Sequence, residues 1–289
     1  MYHSLYMSSY SQKSQSNAPG SLDTFVSVPA PALIDSHVHT DDDRFENDRT
    51  EILQAARAAN IIAQIVPAVS RRLWPRIKQL CGEHSDLFAC YGLHPCFCNE
   101  HSIEDIDELG TWLGREHPVA VGECGLDYHT AGGEKALQQR LFAAQLALAR
   151  EFNLPIVIHA FKAVEDVIRM IRASGHSSGL VHSFNGSEQQ ARRLIDLGYK
   201  LSFGGAVTYG RAKRLRQLVS TLPLDAFMLE TDAPDQPDVD HIGQRSQPAY
   251  LAHVWRNLSQ LRVESAEEIA WATSRNAIEL FRLPLEVNR

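Results

Sequence analysis

The chain has 289 residues, of which 44% are hydrophobic and 22% are charged, and this composition is typical of a soluble globular protein. The length fits one large domain or two small ones. The net charge of −7 argues against a protein that binds nucleic acid or anionic membranes by bulk electrostatic attraction, while local basic patches stay open. No segment of the sequence approaches the roughly 20 apolar residues that cross a membrane.

Residues 1–30 begin with MYHSLYMSSYSQKSQSNAPGS, which is rich in Ser, Tyr and Gln and contains no apolar run. Such a segment cannot bury enough apolar surface to offset the entropy lost on ordering. It also lacks the apolar stretch of a signal peptide and the arginines of a transit peptide. The sequence therefore predicts a disordered tail over 1–30 and one folded domain over 31–289.

From Pro31 onward, short apolar runs alternate with longer amphipathic ones. Nearly continuous hydrophobicity is typical of parallel strands that are covered on both faces. The eight predicted strands are Leu33–His39, Ile61–Val69, Phe88–His94, Val119–Leu126, Pro155–His159, Gly179–Phe184, Lys200–Val207 and Phe227–Asp232. The clearest helical patterns are Glu134–Phe152, Ala249–Gln260 and Ser265–Phe281.

Strands that alternate with helices predict an α/β fold with a parallel sheet. An open doubly wound sheet is the competing architecture, and it carries a glycine-rich phosphate turn after its first strand. Here the first strand is followed by the acidic stretch HTDDDRF. Because the strand count is eight, and because such a barrel needs about 250 residues, we predict a (β/α)₈ TIM barrel.

Five cysteines are present, and none of them forms a CxxC pair. Cys90 and Cys124 lie in apolar, strand-like segments, where a thiol packs as a small hydrophobe. Cys96 and Cys98 flank Phe97, and this spacing is a weaker alternative for a metal site. An odd cysteine count without a secretory signature favours a reducing, cytoplasmic location.

Polar side chains of metal-ligand type close five of the predicted strands. Successive strand residues alternate faces, so Asp35, His37 and His39 share one face, although a pair of surface histidines beside an acidic loop is the simpler alternative. The pattern recurs at the other strand ends, with Glu123, His159, His182, Glu230 and Asp232. Buried charges cost free energy unless they are paired or coordinated. Strand ends converge at the mouth of a barrel, so the sequence predicts a metal centre there.

Four imidazoles and two carboxylates suit a divalent cation rather than a thiolate site. The six predicted ligands are His37, His39, Glu123, His159, His182 and Asp232. Six ligands exceed the need of one tetrahedral ion, so two divalent metal ions are expected. Glu123 is the natural bridge because a carboxylate has two oxygens. Four imidazoles favour Zn²⁺, Mn²⁺ or Ni²⁺ in binding strength.

With these residues assigned, the sequence resembles the TatD-type deoxyribonucleases from Pro31 to about Leu283. The resemblance rests on DSHVH (35–39), YGLHP (91–95), VGECGLDYH (121–129), IVIHA (156–160), VHSFNGS (181–187), ETDAP (230–234), QRSQP (244–248) and TSRNAIELF (273–281). It implies an amidohydrolase-like barrel and a Mg²⁺-dependent hydrolase, a DNase that cleaves phosphodiester bonds in DNA. The six predicted ligands fall where the metal ligands of that family fall.

One position departs from the family pattern. Many members carry Ser-Arg soon after the histidine of the fifth strand, whereas this chain continues His159-Ala160-Phe161-Lys162. Lys162 supplies a cation for a phosphate as a point charge rather than as a bidentate fork. This departure from the family pattern weakens the prediction of a DNA substrate more than the prediction of metal-dependent hydrolysis.

The remaining candidates support or surround the predicted centre. Asp232 and Glu123 are the predicted catalytic pair. Asp232 is also expected to act as the base that takes a proton from the attacking water. Four residues are expected to orient ligands by hydrogen bonds, namely Asp35, His94, Asp127 and Glu230. Buried pairing with a neighbouring helix is an equal alternative for Glu230, and an ordinary role as loop or strand-end polar groups is the alternative for His94 and Asp127. Basic residues after strands are expected to bind substrate phosphates, and besides Lys162 they include Arg71, Arg211 and Arg245. Solvated helix faces are the alternative for each arginine.

Two functions stay open at this point. The first is a nuclease acting on DNA, and the second is a small-molecule amidohydrolase or esterase on the same barrel and metal site. The basic residues near the mouth favour the first, while the acidic total and the HAFK segment keep the second open. A binding protein with a vestigial site is disfavoured because no ligand is missing, and no obligate protein partner is evident.

Overall fold

The computed structural model describes residues 31–129 and 135–287. Eight parallel strands form one sheet in chain order, β1 to β8. Their bounds are β1 Leu33–Asp35, β2 Ile61–Pro67, β3 Leu87–Tyr91, β4 Ala120–Asp127, β5 Ile156–Phe161, β6 Gly179–Val181, β7 Tyr199–Phe203 and β8 Phe227–Leu229. The amide of Ser36 donates to the Leu229 carbonyl at 3.0 Å, so the first and last strands meet. The predicted (β/α)₈ barrel is confirmed.

Helices connect the strands and cover the outside of the barrel. They are α1 Arg49–Ala58, α2 Trp74–Glu83, α3 Asp105–Glu116, α4 Lys135–Glu151, α5 Val164–Ser174, α6 Glu188–Asp196, α7 Lys213–Thr221, α8 Leu251–Ser259 and α9 Ala266–Phe281. Helix α9 begins at a capping box in which Ser265 and Glu268 satisfy each other's backbone amides. Helix α8 begins later than predicted because Pro248–Tyr250 forms a 3₁₀ turn. In the described chain, no helix is long and apolar enough to cross a membrane.

The apolar core has an inner and an outer layer, as a barrel requires. The outer layer lies between strands and helices and includes Trp74, Phe142 and Ile168. The inner layer draws Ile34, Ala63, Ile65, Cys90, Ala120, Val157, Leu180 and Met228 from seven of the eight strands. Residues of α9, among them Leu280 and Phe281, join this inner layer. Helix α9 also binds the starts of two strands, because Ser274 Oγ donates to the Ala32 carbonyl and Asn276 Nδ2 to the Phe227 carbonyl.

Several strands end earlier than the sequence predicts. The predicted strand Leu33–His39 ends at Asp35, Gly179–Phe184 ends at Val181, and Phe227–Asp232 ends at Leu229. The residues beyond these ends still donate to a neighbouring strand, as the amide of Val38 does to Ile65 and that of His182 to Ile158. Most of these residues are polar, and most are buried at the mouth of the barrel without belonging to a strand. The predicted tail over 1–30 and Glu134, the predicted start of the fourth helix, lie outside the described residues.

Candidate metal centre

His37 and His39 lie just beyond β1, in the segment that enters the mouth of the barrel. The sequence places them on a strand face, which is wrong because β1 ends at Asp35. Both rings nevertheless point to one place, and their Nε2 atoms are 3.3 Å apart. His37 is fully buried, and its ring stacks on that of His182 with a centroid separation of 3.8 Å.

Glu123 lies within β4, where two glycines allow the backbone to pass close to β5. A Cβ atom added to Gly125 would lie 2.1 Å from the carbonyl oxygen of His159, and one added to Gly122 would lie 2.7 Å from that of Val157. Both glycines have positive φ, at 143° for Gly122 and 127° for Gly125, a conformation that other residues rarely adopt. These glycines bring Glu123 next to the histidine that β5 supplies.

The two carboxylate oxygens of Glu123 face different groups of side chains. Its Oε2 lies 3.3 Å from His37 Nε2 and 3.5 Å from His39 Nε2. Its Oε1 lies 2.9 Å from His182 Nε2 and 3.4 Å from His159 Nδ1. The structure thus brings four imidazoles from three segments of the chain around one buried carboxylate.

Asp232 follows β8 and completes the first of these two groups. Its Oδ1 lies 3.6 Å from His37 Nε2 and 3.5 Å from His39 Nε2. Tetrahedral ligands bound at 2.0–2.1 Å are separated by about 3.4 Å. The distances among His37, His39, Glu123 Oε2 and Asp232 Oδ1 match that separation, so this group could hold one ion.

The second group has three donor atoms. His159 Nδ1 and His182 Nε2 are 3.2 Å apart, and both face Glu123 Oε1. Three protein ligands leave room in a coordination sphere for water or substrate, as in catalytic zinc sites. All six residues that the sequence predicts as ligands are therefore close together, and their role as ligands stays a prediction.

His94 and Asp127 hold members of this cluster in place. The amide of Cys96 donates to Nδ1 of His94, so the ring proton is on Nε2, which donates to Glu123 Oε1 at 2.9 Å. Burial lowers the pKa of His94 to about 4, which keeps the ring neutral. His159 Nε2 lies 3.0 Å from Asp127 Oδ2, an arrangement that leaves its Nδ1 facing Glu123. Carboxylate–histidine pairs of this kind fix the tautomer of a metal ligand.

Asp35 and Glu230 are buried carboxylates beside the cluster, and each contacts a residue predicted as a ligand, Asp35 by accepting from the His37 amide at 3.3 Å. Asp35 is fully buried and accepts hydrogen bonds from the amide and hydroxyl of Thr231 at 3.0 Å and 2.6 Å. It therefore ties β1 to the segment after β8 rather than contacting an imidazole. Glu230 accepts from Ser202 Oγ, and its Oε1 lies 3.8 Å from His182 Nδ1. Ser202 lies in β7, so this bond is not the pairing with a neighbouring helix that was the alternative for Glu230.

The charges in the cluster shift several pKa values. Burial alone would raise the pKa of Glu123, but His94 and His182 outweigh it and hold that pKa well below the usual range. Burial opposes protonation of His39, yet its bond to Asp232 and the charge of Glu123 raise its pKa to about 9. The same balance of burial against Glu123 raises the pKa of His182 well above its usual value. Without a bound cation, the protonated rings of His39 and His182 balance the negative charges of Glu123 and Asp232.

Three of the predicted substrate contacts have partners of their own. Arg245 forms an ion pair with Asp48, and Arg71 pairs with Asp105 at 2.9 Å and with Glu108 at 3.3 Å. The guanidinium of Arg211 lies over the Tyr209 ring, 4.9 Å from its centroid.

Lys162 is exposed and follows the ligand-bearing strand β5. Its Nζ donates to Nδ1 of His129 at 3.1 Å, and it has no carboxylate partner among the described residues. Unlike Arg245 and Arg71, Lys162 thus has a charge that no carboxylate among the described residues offsets.

The structure adds two polar side chains that the sequence does not indicate. Gln236 Nε2 donates to Asp232 Oδ2 at 2.5 Å, and Ser183 Oγ donates to Gln236 Oε1 at 2.8 Å. A glutamine and a serine in loops carry no metal-ligand signal. Only their positions in the sequence point to the site, because Ser183 follows His182 directly and Gln236 lies four residues after Asp232.

A second group of potential ligands lies in the loop after β8. Asp238, His241 and His253 have donor atoms within 4.8 Å of one another. His241 Nδ1 lies 2.8 Å from an oxygen of the buried Asp238, and its ring stacks on Tyr250. Asp238 also accepts from the Asp240 amide at 2.9 Å. These hydrogen bonds hold the loop after β8 in its conformation, and this structural role accounts for the clustering of the three side chains.

With this geometry in place, comparison with known proteins assigns the chain to a family. The family model of TatD-related DNases matches residues 34–282. The chain belongs to the TatD-related DNase family. The match spans all eight strands of this TatD-family barrel apart from the first residue of β1, together with every residue of the cluster around Glu123.

Relatives of this TatD-family chain are similar over nearly their whole length. The uncharacterized metal-dependent hydrolase YjjV of Escherichia coli is 38% identical over 255 residues, covering 87% of this chain and 98% of YjjV. The crystal structure of YjjV has a TM-score of 0.85 over 87% of this chain and 98% of that one. The uncharacterized metal-dependent hydrolase YabD of Bacillus subtilis is 34% identical over 87% of this chain and 99% of YabD.

A more distant structure shows the same fold. The crystal structure of a TatD-family hydrolase from Entamoeba histolytica is 19% identical, covers 88% of this chain and 99% of its own, and has a TM-score of 0.77.

Proposed function

We propose that this TatD-family protein, a metal-dependent hydrolase, cleaves phosphodiester bonds in DNA with water. One observation carries the proposal. Glu123 is a single buried carboxylate whose two oxygens face two separate groups of donor atoms. A carboxylate so placed suits a bridge between two ions, and paired ions are the usual arrangement in nucleases and phosphatases.

The donor atoms fit divalent cations in number, type and spacing. His37, His39, Asp232 and one oxygen of Glu123 would hold the first ion, and His159, His182 and the other oxygen would hold the second. His37 Nδ1 and His182 Nδ1 make no hydrogen bond within the described residues, and the Nε2 atoms of both rings face Glu123. Bound ions would lower the pKa of a water molecule and stabilise the charge on the leaving oxygen.

The protein's own groups provide orientation and proton transfer. Water oxygen forms a bond to phosphorus while the bond to the leaving ester oxygen breaks. Asp232 takes a proton from the attacking water, and the leaving oxygen takes its proton from solvent. His94 holds Glu123, and Asp127 holds His159, so the cluster keeps its arrangement during the reaction.

Substrate phosphates need cations, and Lys162 with Arg245, Arg71 and Arg211 are proposed to supply them. One observation favours the second candidate function, which is hydrolysis of a small-molecule amide or ester. Arg245 and Arg71 are each paired with carboxylates, which reduces the positive charge that a polyanion meets at the mouth. Support for DNA rests on the family match, the spacing of the donor atoms and the exposed Lys162.

A substrate panel tests the proposal. The protein, supplied with Mg²⁺, Mn²⁺ or Zn²⁺, is given DNA oligonucleotides and, separately, a neutral ester and an amide. We expect DNA cleavage whose rate falls steeply with added salt through counterion release, and slow turnover of the neutral compounds. Efficient turnover of an ester or amide, with feeble and salt-insensitive DNA cleavage, would favour the small-molecule function.

Variants at the proposed phosphate contacts sharpen this test. Arg245→Ala and Lys162→Met should each lower kcat/KM on DNA by roughly 1–3 kcal/mol of transition-state stabilisation, the range for hydrogen bonds to charged groups. Lys78→Met is the matched control because Lys78 pairs with Glu116 between α2 and α3. All three variants should cleave a neutral ester like the native chain. Equal losses on ester and DNA would remove these residues from phosphate binding.

A further inference from the structure

Three residues beyond strands β6 and β8 have left-handed backbone conformations although none of them is glycine. Their φ angles are 44° at Ser183, 54° at Asp232 and 49° at Gln236. A side chain disfavours this conformation, and residues held in it collect at functional sites. Glycine would adopt this backbone conformation without steric cost. Because non-glycine residues are present at all three positions, we expect their side chains to have a function.

These three side chains form one line of hydrogen bonds that ends on a proposed ligand. Ser183 Oγ donates to Gln236 Oε1 at 2.8 Å, and Gln236 Nε2 donates to Asp232 Oδ2 at 2.5 Å. An ionised Asp232 requires the amide NH₂ to face it, and Ser183 supplies the donor that the amide oxygen then needs. The other oxygen of Asp232, Oδ1, faces His37 and His39.

The backbone of Gln236 is held as firmly as its side chain. A Cβ atom added to Gly205, in the turn after β7, would lie 2.2 Å from the carbonyl oxygen of Gln236. The hydroxyl of Tyr209, from the same loop, donates to the carbonyl of Pro237 at 2.8 Å. Gln236 is thus fixed by residues that follow three strands, and its amide has little freedom to leave Asp232.

We propose that Gln236 is a positioning residue for the metal centre. It donates to one lone pair of Asp232 Oδ2, so that the carboxylate offers Oδ1 to an ion beside His37 and His39 and keeps the other lone pair of Oδ2 for the proton of the attacking water, and Ser183 acts only through Gln236. This inference rests on the proposed metal site. Without Gln236 the carboxylate can turn or bind through both oxygens, and the first group of donors loses its spacing.

A double-mutant cycle in Zn²⁺ affinity tests this arrangement. The tighter of the two affinities is measured by competition with a chelator for the native chain, Ser183→Ala, Gln236→Met and the double variant. Gln236→Met should weaken it about 10-fold or more, as losses of ligand-orienting bonds do. Ser183→Ala should weaken it by less, and should have no further effect once Gln236 is replaced. An affinity unchanged in Gln236→Met, or losses that add in the double variant, would overturn the proposal.

Two further variants separate positioning from stability. Gln190→Met is the matched control because Ser187 and Gln190 form a similar hydroxyl–amide pair in the capping box of α6. It should lower Tm and leave Zn²⁺ affinity unchanged. Ser183→Gly removes the hydroxyl but relieves the left-handed backbone, so Zn²⁺ affinity should fall while Tm holds or rises. Unchanged affinity in Ser183→Gly would count against the proposal even if Gln236→Met failed to fold.

The native chain separates this inference from the proposed function. If the native chain binds no Zn²⁺, the proposed metal site itself fails. If it binds two ions and the Gln236→Met chain binds them equally well, the metal site stands and only the positioning role fails.

Discussion

The residue with most influence on the cluster is Glu123, which is 2% exposed and lies among five imidazoles. Its oxygens divide those rings into two groups, and this division is what supports two ions rather than one. The neutral His94 donates to the carboxylate from a position where it cannot compete for an ion, since its other nitrogen is bound to a backbone amide.

Replacing Glu123 with Gln tests the bridging role. The amide keeps the shape of the side chain, but one oxygen becomes an NH₂ group that cannot bind a cation. We expect the chain to hold one ion per molecule instead of two and to lose hydrolysis, as measured by elemental analysis after dialysis and by turnover. Glu279→Gln, on the exposed side of α9, is the control. Two ions still bound by Glu123→Gln would mean that another group forms the bridge.

Binding of ions should release protons from this cluster. In the metal-free chain the pKa of His39 is raised to about 9 and that of His182 is raised well above its usual value, so both rings are protonated at neutral pH. An ion must displace these protons, and lower pH therefore favours the metal-free form. Apparent Zn²⁺ affinity should rise with pH between about pH 6 and pH 9, by up to tenfold per unit for each proton released.

Calorimetry in buffers of different ionisation enthalpy measures this proton release directly. A simple chelator titrated in the same buffers corrects for hydrolysis of the ion. Affinity that stays flat across this pH range would show that the histidines are already neutral before the ion arrives.

Sequence reasoning recovered the residues whose chemical type is informative. Histidines and carboxylates that close apolar strands predicted six side chains that the structure places together, and also the partners His94 and Asp127. It could not recover Gln236, because a neutral amide in a loop has no pattern. Nor could it show that Arg245 is paired with Asp48, since that contact joins residues 197 positions apart.

At the scale of elements, β4 has the tightest packing in the site. Gly125→Ala would place a Cβ atom 2.1 Å from the His159 carbonyl oxygen, at a φ of 127° that alanine avoids. We expect a loss of about 2–4 kcal/mol in the free energy of unfolding, from overpacking and backbone strain together. Thermal unfolding should report a lower Tm, and Zn²⁺ binding should weaken because His159 moves.

Gly82 provides the matched control for this substitution. It lies in α2, and a Cβ atom added there meets nothing within 4 Å. Gly82→Ala should raise stability by about 0.5–1 kcal/mol through the lower backbone entropy of the unfolded chain. Equal stability of the two alanine variants would show that β4 and β5 can move apart at little cost.

Strand positions were predictable and strand ends were not. Continuous hydrophobicity located all eight strands, because both faces of each strand are buried. The ends depend on where the backbone leaves the extended conformation, as Ser183 does at a φ of 44° two residues beyond β6. Here the segment contacts Gln236 in the loop after β8 and Ser202 in β7, and local sequence does not encode such contacts.

For the whole molecule, the domain prediction can be tested by truncation. The family match begins at residue 34 and the first strand at Leu33. A chain that begins at Ser27 should keep the Tm and turnover of the full chain, because it retains every described element. A chain that begins at Ser36 lacks β1, which pairs with β2 and meets β8, and should not fold. Lost activity or solubility in the first of these chains would assign a role to residues 1–26.

Helix α9 gives the barrel two unlike ends. Its residues Leu280 and Phe281 join the inner apolar layer, and its polar residues bind the starts of β1 and β8. In the part of the chain that the structure describes, apolar side chains fill the barrel at the end opposite the mouth, so substrate and product are both expected to pass through the mouth. A cleaved product must depart before the next substrate arrives, so product is expected to compete with substrate, and its departure can limit turnover once bond cleavage is fast.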